Sequence, residues 1–330
     1  MKKKNIAIIG ATGMVGRTLL KVLEERNFPF DQLHCFASEE FIGETVQCKG
    51  KDYRIEGLTK EVFQRDIDIA FFSAGEEVSQ KFAPIAAKEG VIVIDNSNAF
   101  RMDTEIPLVV PEVNGHVLKH HNNIISNPNC STIQAVVALK PLHDKYGIKR
   151  VVISTYQAVS GSGLKGMKDL EKGLQGQKSF EAYPHSIADN CLPHIDVFLD
   201  NGYTKEEMKM IQETCKILED KTVMVTATAV RVPMFYCHSE ALNVELKKPY
   251  DLKDIFQLYK DFHGITLEDQ PHKNIYPLAS KAVNTDGVYI GRIRRDFSQE
   301  NTLNLWVVAD NIRKGAATNA IQIAEHLINT

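Results

Sequence analysis

Over the first 130 residues, short apolar runs alternate with stretches of helical spacing. Residues 5–10 read as a buried parallel strand. The glycine turn Gly10-Ala11-Thr12-Gly13-Met14-Val15-Gly16 follows, and Leu19, Leu20 and Leu23 then mark one face of a helix. Residues 32–36 read as a second strand, and 67–72 as another, ending in Ser73-Ala74-Gly75. Val78, Phe82, Ile85 and Ala86 have helical spacing; residues 91–94 return to a strand ending in Asp95-Asn96-Ser97, and Ile124-Ile125 lead into Asn127. This alternation predicts an α/β domain, a Rossmann-type doubly wound parallel sheet with right-handed crossovers. Ligands of such sheets lie beyond the carboxyl ends of the strands, where Ser73, Gly75 and Asn96 fall. Each segment is equally readable as a polar turn; their recurrence at one edge favours a ligand site.

The pattern changes near residue 130. Residues 151–159 are a long β-rich run ending in Ser160-Gly161-Ser162-Gly163, and residues 164–192 are polar and glycine-containing, a mixed helix and loop insertion. Residues 203–218 read as a helix with Thr204 as its N-cap. Residues 223–232, 242–246, 288–294 and 302–308 are β-branched or aromatic strands, which predicts an α+β domain with a largely antiparallel sheet. Residues 316–328 regain helical spacing and are expected to pack on the first domain. The expected division is therefore 1–129 plus a C-terminal helix in 313–330 as the first domain, and 130–312 as the second.

Composition narrows the class. The 330 residues are 43% hydrophobic and 25% charged, ordinary for a soluble globular protein, and two domains suit the length. A formal net charge of −3 gives no electrostatic case for nucleic acid or membrane as partner. The run Lys2-Lys3-Lys4 precedes an apolar stretch too short for a signal-peptide core, and no stretch is long enough to span a bilayer. Six cysteines without paired spacing argue against a disulfide framework or a metal site, and a reducing cytoplasm is the expected compartment.

The chemistry centres on Asn127-Pro128-Asn129-Cys130-Ser131-Thr132. Pro128 turns Asn127 away from helix, Asn129 is a cap, and Ile133, Val136 and Val137 continue with helical spacing. Cys130 is thus expected in the first turn of a helix, where exposed N–H groups and the helix dipole favour a nucleophilic thiolate. The alternative is a packed structural cysteine. In the glycine turn, Gly10 permits the tight bend, Gly13 the approach of a pyrophosphate and Gly16 close packing of helix on strand. The spacing is G-x-x-G-x-x-G rather than the commoner G-x-G-x-x-G. His238 follows the segment Arg231-Val232-Pro233 and is either a proton-handling partner for the thiol or a structural histidine. Arg231 offers a planar fork to a carboxylate, Arg101 lies just past the ligand edge, and Glu206 with Lys209 is either functional or an exposed i,i+3 ion pair.

Further stretches complete a family pattern: Phe72-Ser-Ala-Gly75, Pro107-Leu-Val-Val-Pro-Glu-Val-Asn114, Ser154-Thr-Tyr-Gln-Ala-Val-Ser-Gly161, Glu206-Glu-Met-Lys209, His238-Ser-Glu240 and Asp310-Asn-Ile-Arg-Lys-Gly-Ala-Ala317. With the glycine turn and the cysteine motif, the chain resembles the aspartate-semialdehyde dehydrogenases across essentially its whole length. The resemblance implies a glyceraldehyde-3-phosphate-dehydrogenase-like pairing of domains, a homodimer, and NADPH-dependent reduction of L-aspartyl 4-phosphate to L-aspartate 4-semialdehyde in lysine (diaminopimelate), methionine and threonine biosynthesis. By resemblance Cys130 is the nucleophile, forming a thioester, His238 the acid/base, and Gln157 the residue that orients the acyl group. Arg231 and Glu206 hold the substrate carboxylate and amine, and Arg101 and Lys209 its phosphate. Gly10, Thr12, Gly13, Met14, Val15, Gly16, Ser38, Ser73, Gly75, Asn96, Ser160, Gly161 and Asn311 form the NADP(H) site.

One segment departs from that pattern. After Ser38 stand Glu39-Glu40-Phe41, where a carboxylate beside the adenosine ribose favours a free 2′-hydroxyl and would admit NAD(H). Two other readings stay open: an N-acetyl-γ-glutamyl-phosphate reductase, which has no free substrate amine for Glu206 to hold, and a non-catalytic dinucleotide sensor, which would not need Cys130.

Overall fold

The computed structural model describes residues 3–329; Met1, Lys2 and Thr330, parts of the lysine run and of the expected first-domain segments, lie outside the described residues. The chain forms two compact units, one running through Asn129 and resuming at Ala316, the other Cys130–Gly315.

In the first unit the strands are β1 (Lys4–Ile9), β2 (Phe30–Ala37), β3 (Thr45–Cys48), β4 (Lys51–Gly57), β5 (Ile69–Phe72), β6 (Ile92–Asp95) and β7 (Ile124–Ser126). They form one sheet in the order β3-β4-β2-β1-β5-β6-β7. All neighbours are parallel except β3 and β4, a hairpin that the apolar pattern does not reveal. Its turn holds Lys49 at φ 49° and Gly50 at φ 70°. Both central residues are left-handed, as a two-residue hairpin twist demands, but a lysine at the first is a weak sequence signal. The helices are α1 (Met14–Glu25), α2 (Glu76–Lys88), the short α3 (Pro111–Asn114) and the C-terminal α9 (Thr318–Asn329). Ala320, Ile321 and Ala324 of α9 share a core with Ile6, Ile8, Leu19, Leu23, Phe71 and Ile125.

In the second unit, α4 (Cys130–Tyr146) leads into β8 (Ile148–Gln157), followed by α5 (Gly163–Leu174), α6 (Lys205–Ile217), β9 (Met224–Arg231) and β10 (His238–Leu246). Then come α7 (Leu252–Asp261), β11 (Ile265–Leu267), α8 (Ala279–Ala282), β12 (Val288–Arg295) and β13 (Thr302–Ala309). The sheet order is β11-β12-β13-β10-β8-β9. Its centre is antiparallel, but β8 with β9 and β11 with β12 are parallel, so the expectation of a largely antiparallel sheet holds only for the middle strands. The cause is connectivity: long crossovers through α5 and α6, and through α8, return each edge strand in the same direction.

Two local devices support the site. The segment 164–192 is α5 followed by a loop that buries Tyr183, Ile187 and Leu192 against Val159 and Leu170. Helix α6 begins at a full capping box: the Glu207 N–H donates to the Thr204 hydroxyl (3.3 Å), and the Thr204 N–H donates to the Glu207 carboxylate (2.7 Å). The other Glu207 oxygen accepts from the Ala229 N–H of β9 (3.0 Å), which ties the helix start to the sheet. Among the described residues no helix is long and apolar enough to cross a membrane, and no group of three or more His, Cys, Asp or Glu side chains could hold a metal ion.

Candidate active site

The carboxyl edge of the parallel sheet is stitched together strand by strand. The Ser73 N–H donates to the Ile9 carbonyl (2.8 Å), Asn96 N–H to Phe72 (2.9 Å) and Asn127 N–H to Asp95 (2.8 Å). The Asn127 amide also donates to the Asn96 side chain (2.9 Å). Arg101 donates to the carbonyls of Asn127 (3.0 Å) and Asn96 (2.9 Å) and is buried, so it braces this edge.

The glycine turn fits a dinucleotide pyrophosphate. Gly10 has φ +91°, and a Cβ there would lie 2.7 Å from the Ser73 carbonyl oxygen; one on Gly16 would overlap the Gly10 carbonyl oxygen. Those glycines close β1, β5 and α1 together, while a Cβ on Gly13 would meet nothing nearer than 3.5 Å. Gly13 is the α1 N-cap and supplies no side-chain bond, which leaves the cap open to an anion beside Thr12, Met14 and Val15. Gly75, at φ +95°, caps α2 in the same manner. At the end of β2, Ser38 donates its hydroxyl to the Glu40 carboxylate (3.2 Å), within the single turn Glu39–Phe41.

In the second unit, Cys130 is the first residue of α4 and is half-buried. This agrees with the sequence reading of a helix start, but the helix is buried on nearly every side rather than along one face. Burial pushes other thiols up, Cys35 to about 12 and Cys48 to about 11, with Cys237 higher still, so those three are held as neutral thiols. The backbone of Gly315 closes over Cys130: a Cβ added there would stand 3.0 Å from the cysteine Cβ. In the sequence Gly315 is visible only as one residue of a longer motif, and its close approach to Cys130 emerges only on folding.

Gln157, Arg231 and His238 occupy one end of three neighbouring strands. Parallel register pairs Gln157 of β8 with Arg231 of β9, and antiparallel register pairs Tyr156 with Ser239, which brings His238 alongside Gln157. The Gln157 amide donates to Glu206 (3.1 Å), Lys209 donates to the other Glu206 oxygen (3.2 Å), and Lys209 also donates to Asp196 (2.7 Å). The Glu206–Lys209 pair is therefore part of a mostly buried chain, not the exposed surface pair that spacing alone allowed. Sequence reasoning misses Asp196, because it comes from a loop residue in the left-handed region, φ 66°. Burial raises its carboxyl, but the hydrogen bond and charge of Lys209, the Val197 N–H and the charge of Lys205 together outweigh this and hold it below the usual range.

Arg231 is buried and donates from one terminal nitrogen to the Ala158 carbonyl (2.7 Å), while its Nε has no hydrogen-bond partner among the described residues. A buried guanidinium N–H without a partner suits an anionic acceptor. His238 is fully buried, its Nδ1 accepts from the Ala158 N–H (3.0 Å), and its Nε2 has no partner among the described residues. That contact assigns the neutral ring's proton to Nε2. Desolvation, reinforced by the Arg231 charge, pushes His238 down to about 3, so the ring is neutral through the physiological range. Gly161 leaves room for both: a Cβ there would stand 2.8 Å from Arg231 and 3.4 Å from the His238 ring. Ser160 and Asn311 bond one another (3.0 Å), and the Asn311 oxygen accepts the Cys237 N–H (3.0 Å).

A glycine-turn parallel sheet in one unit, and in the other a helix-start thiol with a neutral imidazole, are the equipment of a semialdehyde dehydrogenase. Residues 5–121 match the family model "Semialdehyde dehydrogenase, NAD binding domain", and residues 139–314 match "Semialdehyde dehydrogenase, dimerisation domain". The chain is 54% identical to an aspartate-semialdehyde dehydrogenase of Aquifex aeolicus, over 98% of this chain and 97% of the relative. It superposes with TM-score 0.96 on the Vibrio cholerae aspartate semialdehyde dehydrogenase II solved in complex with ASA, at 48% identity and covering 100% and 99% of the two chains. A Candida albicans aspartate semialdehyde dehydrogenase solved with NADP aligns with TM-score 0.77 and 25% identity over 99% of both chains. The chain belongs to the aspartate-semialdehyde dehydrogenase family.

Proposed function

We propose that this chain reduces L-aspartyl 4-phosphate to L-aspartate 4-semialdehyde with release of phosphate, a step in lysine, methionine and threonine biosynthesis. The observation that carries this reading is the buried chain Gln157–Glu206–Lys209, next along the sheet to the unpartnered nitrogens of Arg231 and His238. A carboxylate such as Glu206 suits a free substrate ammonium, and Arg231 suits the α-carboxylate.

In this reading the Cys130 sulfur attacks the acyl carbon, the carbon–oxygen bond to phosphate breaks, and a thioester forms. Lys209 offsets the charge of the departing phosphate. The first unit holds a nicotinamide dinucleotide through Gly10, Thr12, Gly13, Met14, Val15, Gly16, Ser38, Ser73, Gly75 and Asn96. When bound in reduced form, that cofactor supplies a hydride. Gln157 fixes the acyl group, and the neutral His238 gives an Nε2–H hydrogen bond to the oxygen that becomes anionic; as that oxygen re-forms the carbonyl, the carbon–sulfur bond breaks, the aldehyde departs and the thiolate is restored. The partner is a second copy of the chain, through the unit that matches the dimerisation model; exposed Tyr156, Phe235 and Tyr236 are apolar surface available to it.

The experiment is phosphate-dependent reduction of NADP⁺ by aspartate semialdehyde. Activity on the N-acetyl-γ-glutamyl analogue in place of the aspartyl substrate overturns the assignment. Replacing Glu206 with Gln is expected to raise KM for aspartate semialdehyde at least ~10-fold, the loss of a charge-assisted bond, with a much smaller change in kcat. An unchanged KM removes Glu206 from amine recognition.

The cofactor is NADPH with weak discrimination against NADH, because Glu40 occupies the Ser38 hydroxyl and adds negative charge where a 2′-phosphate would need donors. The kcat/KM ratio, NADPH over NADH, is expected to stay well below ~1,000, which corresponds to about 4 kcal/mol. Replacing Glu40 with Ala should raise that ratio. A wild-type ratio of a thousand or more rejects the idea.

A further inference from the structure

Two residues past His238, strand β10 carries Glu240. Strand alternation sets both on the face that also carries Leu242 and Val244, and all four side chains are at most 1% exposed. Helix α4 packs against this strand. The polar neighbour of the Glu240 carboxyl is the amide of Gln134, one helical turn beyond Cys130. Among the described residues, no formed hydrogen bond reaches either carboxyl oxygen of Glu240 or either amide atom of Gln134. Four polar atoms are thus confined together in an apolar core, where leaving them unmatched is strongly unfavourable.

Hydrogen-bond complementarity limits how they can be matched. An ionised carboxylate only accepts, so it satisfies the amide N–H but opposes the amide oxygen. A carboxylic acid both donates and accepts, and so does a primary amide. We propose that Glu240 and Gln134 form a cyclic acid–amide pair, with Glu240 O–H donating to Gln134 Oε1 and Gln134 Nε2–H donating to the other Glu240 oxygen, and that this pair is a positioning device for the first turn of α4 and hence for the Cys130 sulfur. Burial raises the Glu240 carboxyl well above its ordinary range, Gln134 is the influence opposing it, and no charged group is among the influences on it. Both features agree with the acid form. The pair links the His238 strand to the Cys130 helix one layer below the reacting groups, so it acts through Cys130 without touching substrate.

The proposal rests on Cys130 being the nucleophile, and its test reads Cys130 directly. Alkylation of Cys130 by iodoacetamide is followed peptide by peptide across pH in the full-length protein, with exposed Cys191 as internal reference. In E240Q an amide–amide pair replaces the acid–amide pair, and the Cys130 profile is expected to stay within about two-fold of wild type. E240L and Q134L each break the pair; both should move the half-reaction pH of Cys130 upward by about one unit, an about ten-fold loss of alkylation at neutral pH, with Cys191 unchanged. An E240L profile that overlays wild type, or an E240Q profile as damaged as that of E240L, overturns the proposal.

Where the leucine variants do not fold, E240Q still decides. Wild-type Glu240 binds its proton more tightly folded than unfolded, so stability relative to E240Q should decline as pH rises above the ordinary carboxyl value of 4.5. A pH-independent difference in denaturation midpoint between the two proteins rejects the acid form. Failure of the catalytic reading is distinguishable: C130A would then keep turnover, whereas the alkylation profiles report the pair whether or not the thiol is catalytic.

Discussion

Replacing Cys130 with alanine is expected to lower phosphate-dependent turnover by at least ~10⁴-fold. The loss comes from the covalent step. Without the sulfur no thioester forms, and a hydride would have to reach an acyl phosphate directly, with the substrate carbon no longer fixed by a bond to α4. Half-burial of the side chain and the helix-start position mean that the change removes little packing; thermal unfolding should shift by the equivalent of ~1 kcal/mol or less. Steady-state kinetics and a melting curve on the same preparation separate the two effects. Retention of a tenth or more of the activity would sink both the thioester route and the exclusion of the other buried thiols by their environment.

The second large effect belongs to His238. The His238→Asn variant lacks a donor where Nε2 stands and is expected to lose ~10²–10⁴-fold in kcat, while His238→Gln, whose amide nitrogen reaches the Nε2 position, should recover part of it. A reversed order of the two variants would contradict the tautomer set by the Ala158 N–H. His238 also gives a stability signature. Its folded value is depressed from 6.5 to about 3, so the unfolded chain takes up a proton as pH falls below 6.5 and the folded chain does not until about 3. The stability tied to the neutral ring is therefore complete above 6.5 and is lost progressively as pH falls towards 3. Denaturation midpoints of wild type and His238→Asn, compared between pH 7 and 4, should converge or cross on acidification; parallel lines would mean the ring titrates alike in both states.

The first unit is largely legible in the sequence because its signals are local. Apolar runs such as 5–10 and 67–72 report a sheet covered on both faces, and Gly10 and Gly16 report backbone contacts that no other residue tolerates. The β3–β4 hairpin escapes because Lys49 takes a left-handed conformation that sequence rarely advertises. In the second unit the strands are visible but not their directions, since direction is decided by the path of the connections rather than by residue pattern. The positions of Cys130 and Thr204 at helix starts are readable from turn and cap chemistry. Asp196, by contrast, joins Lys209 only through tertiary folding. Glu240 carries a usable signal of its own: in β10 it takes an inward position, two before Leu242 and two after His238, where an ionisable residue is out of place unless something answers it.

The alignment of Gln157, Arg231 and His238 on β8, β9 and β10 has a consequence for how this protein can fail. Side chains on a strand change face with every residue, so slipping β8 by one position would turn Gln157 away from both neighbours at once. Slipping β9 alone would displace only Arg231, and slipping β10 alone only His238, so β8, which lies between them, is the strand on which all three groups depend. Errors of register in the second unit are therefore unequal in consequence: the middle strand of the three carries the whole constellation, whereas either neighbour carries one member of it.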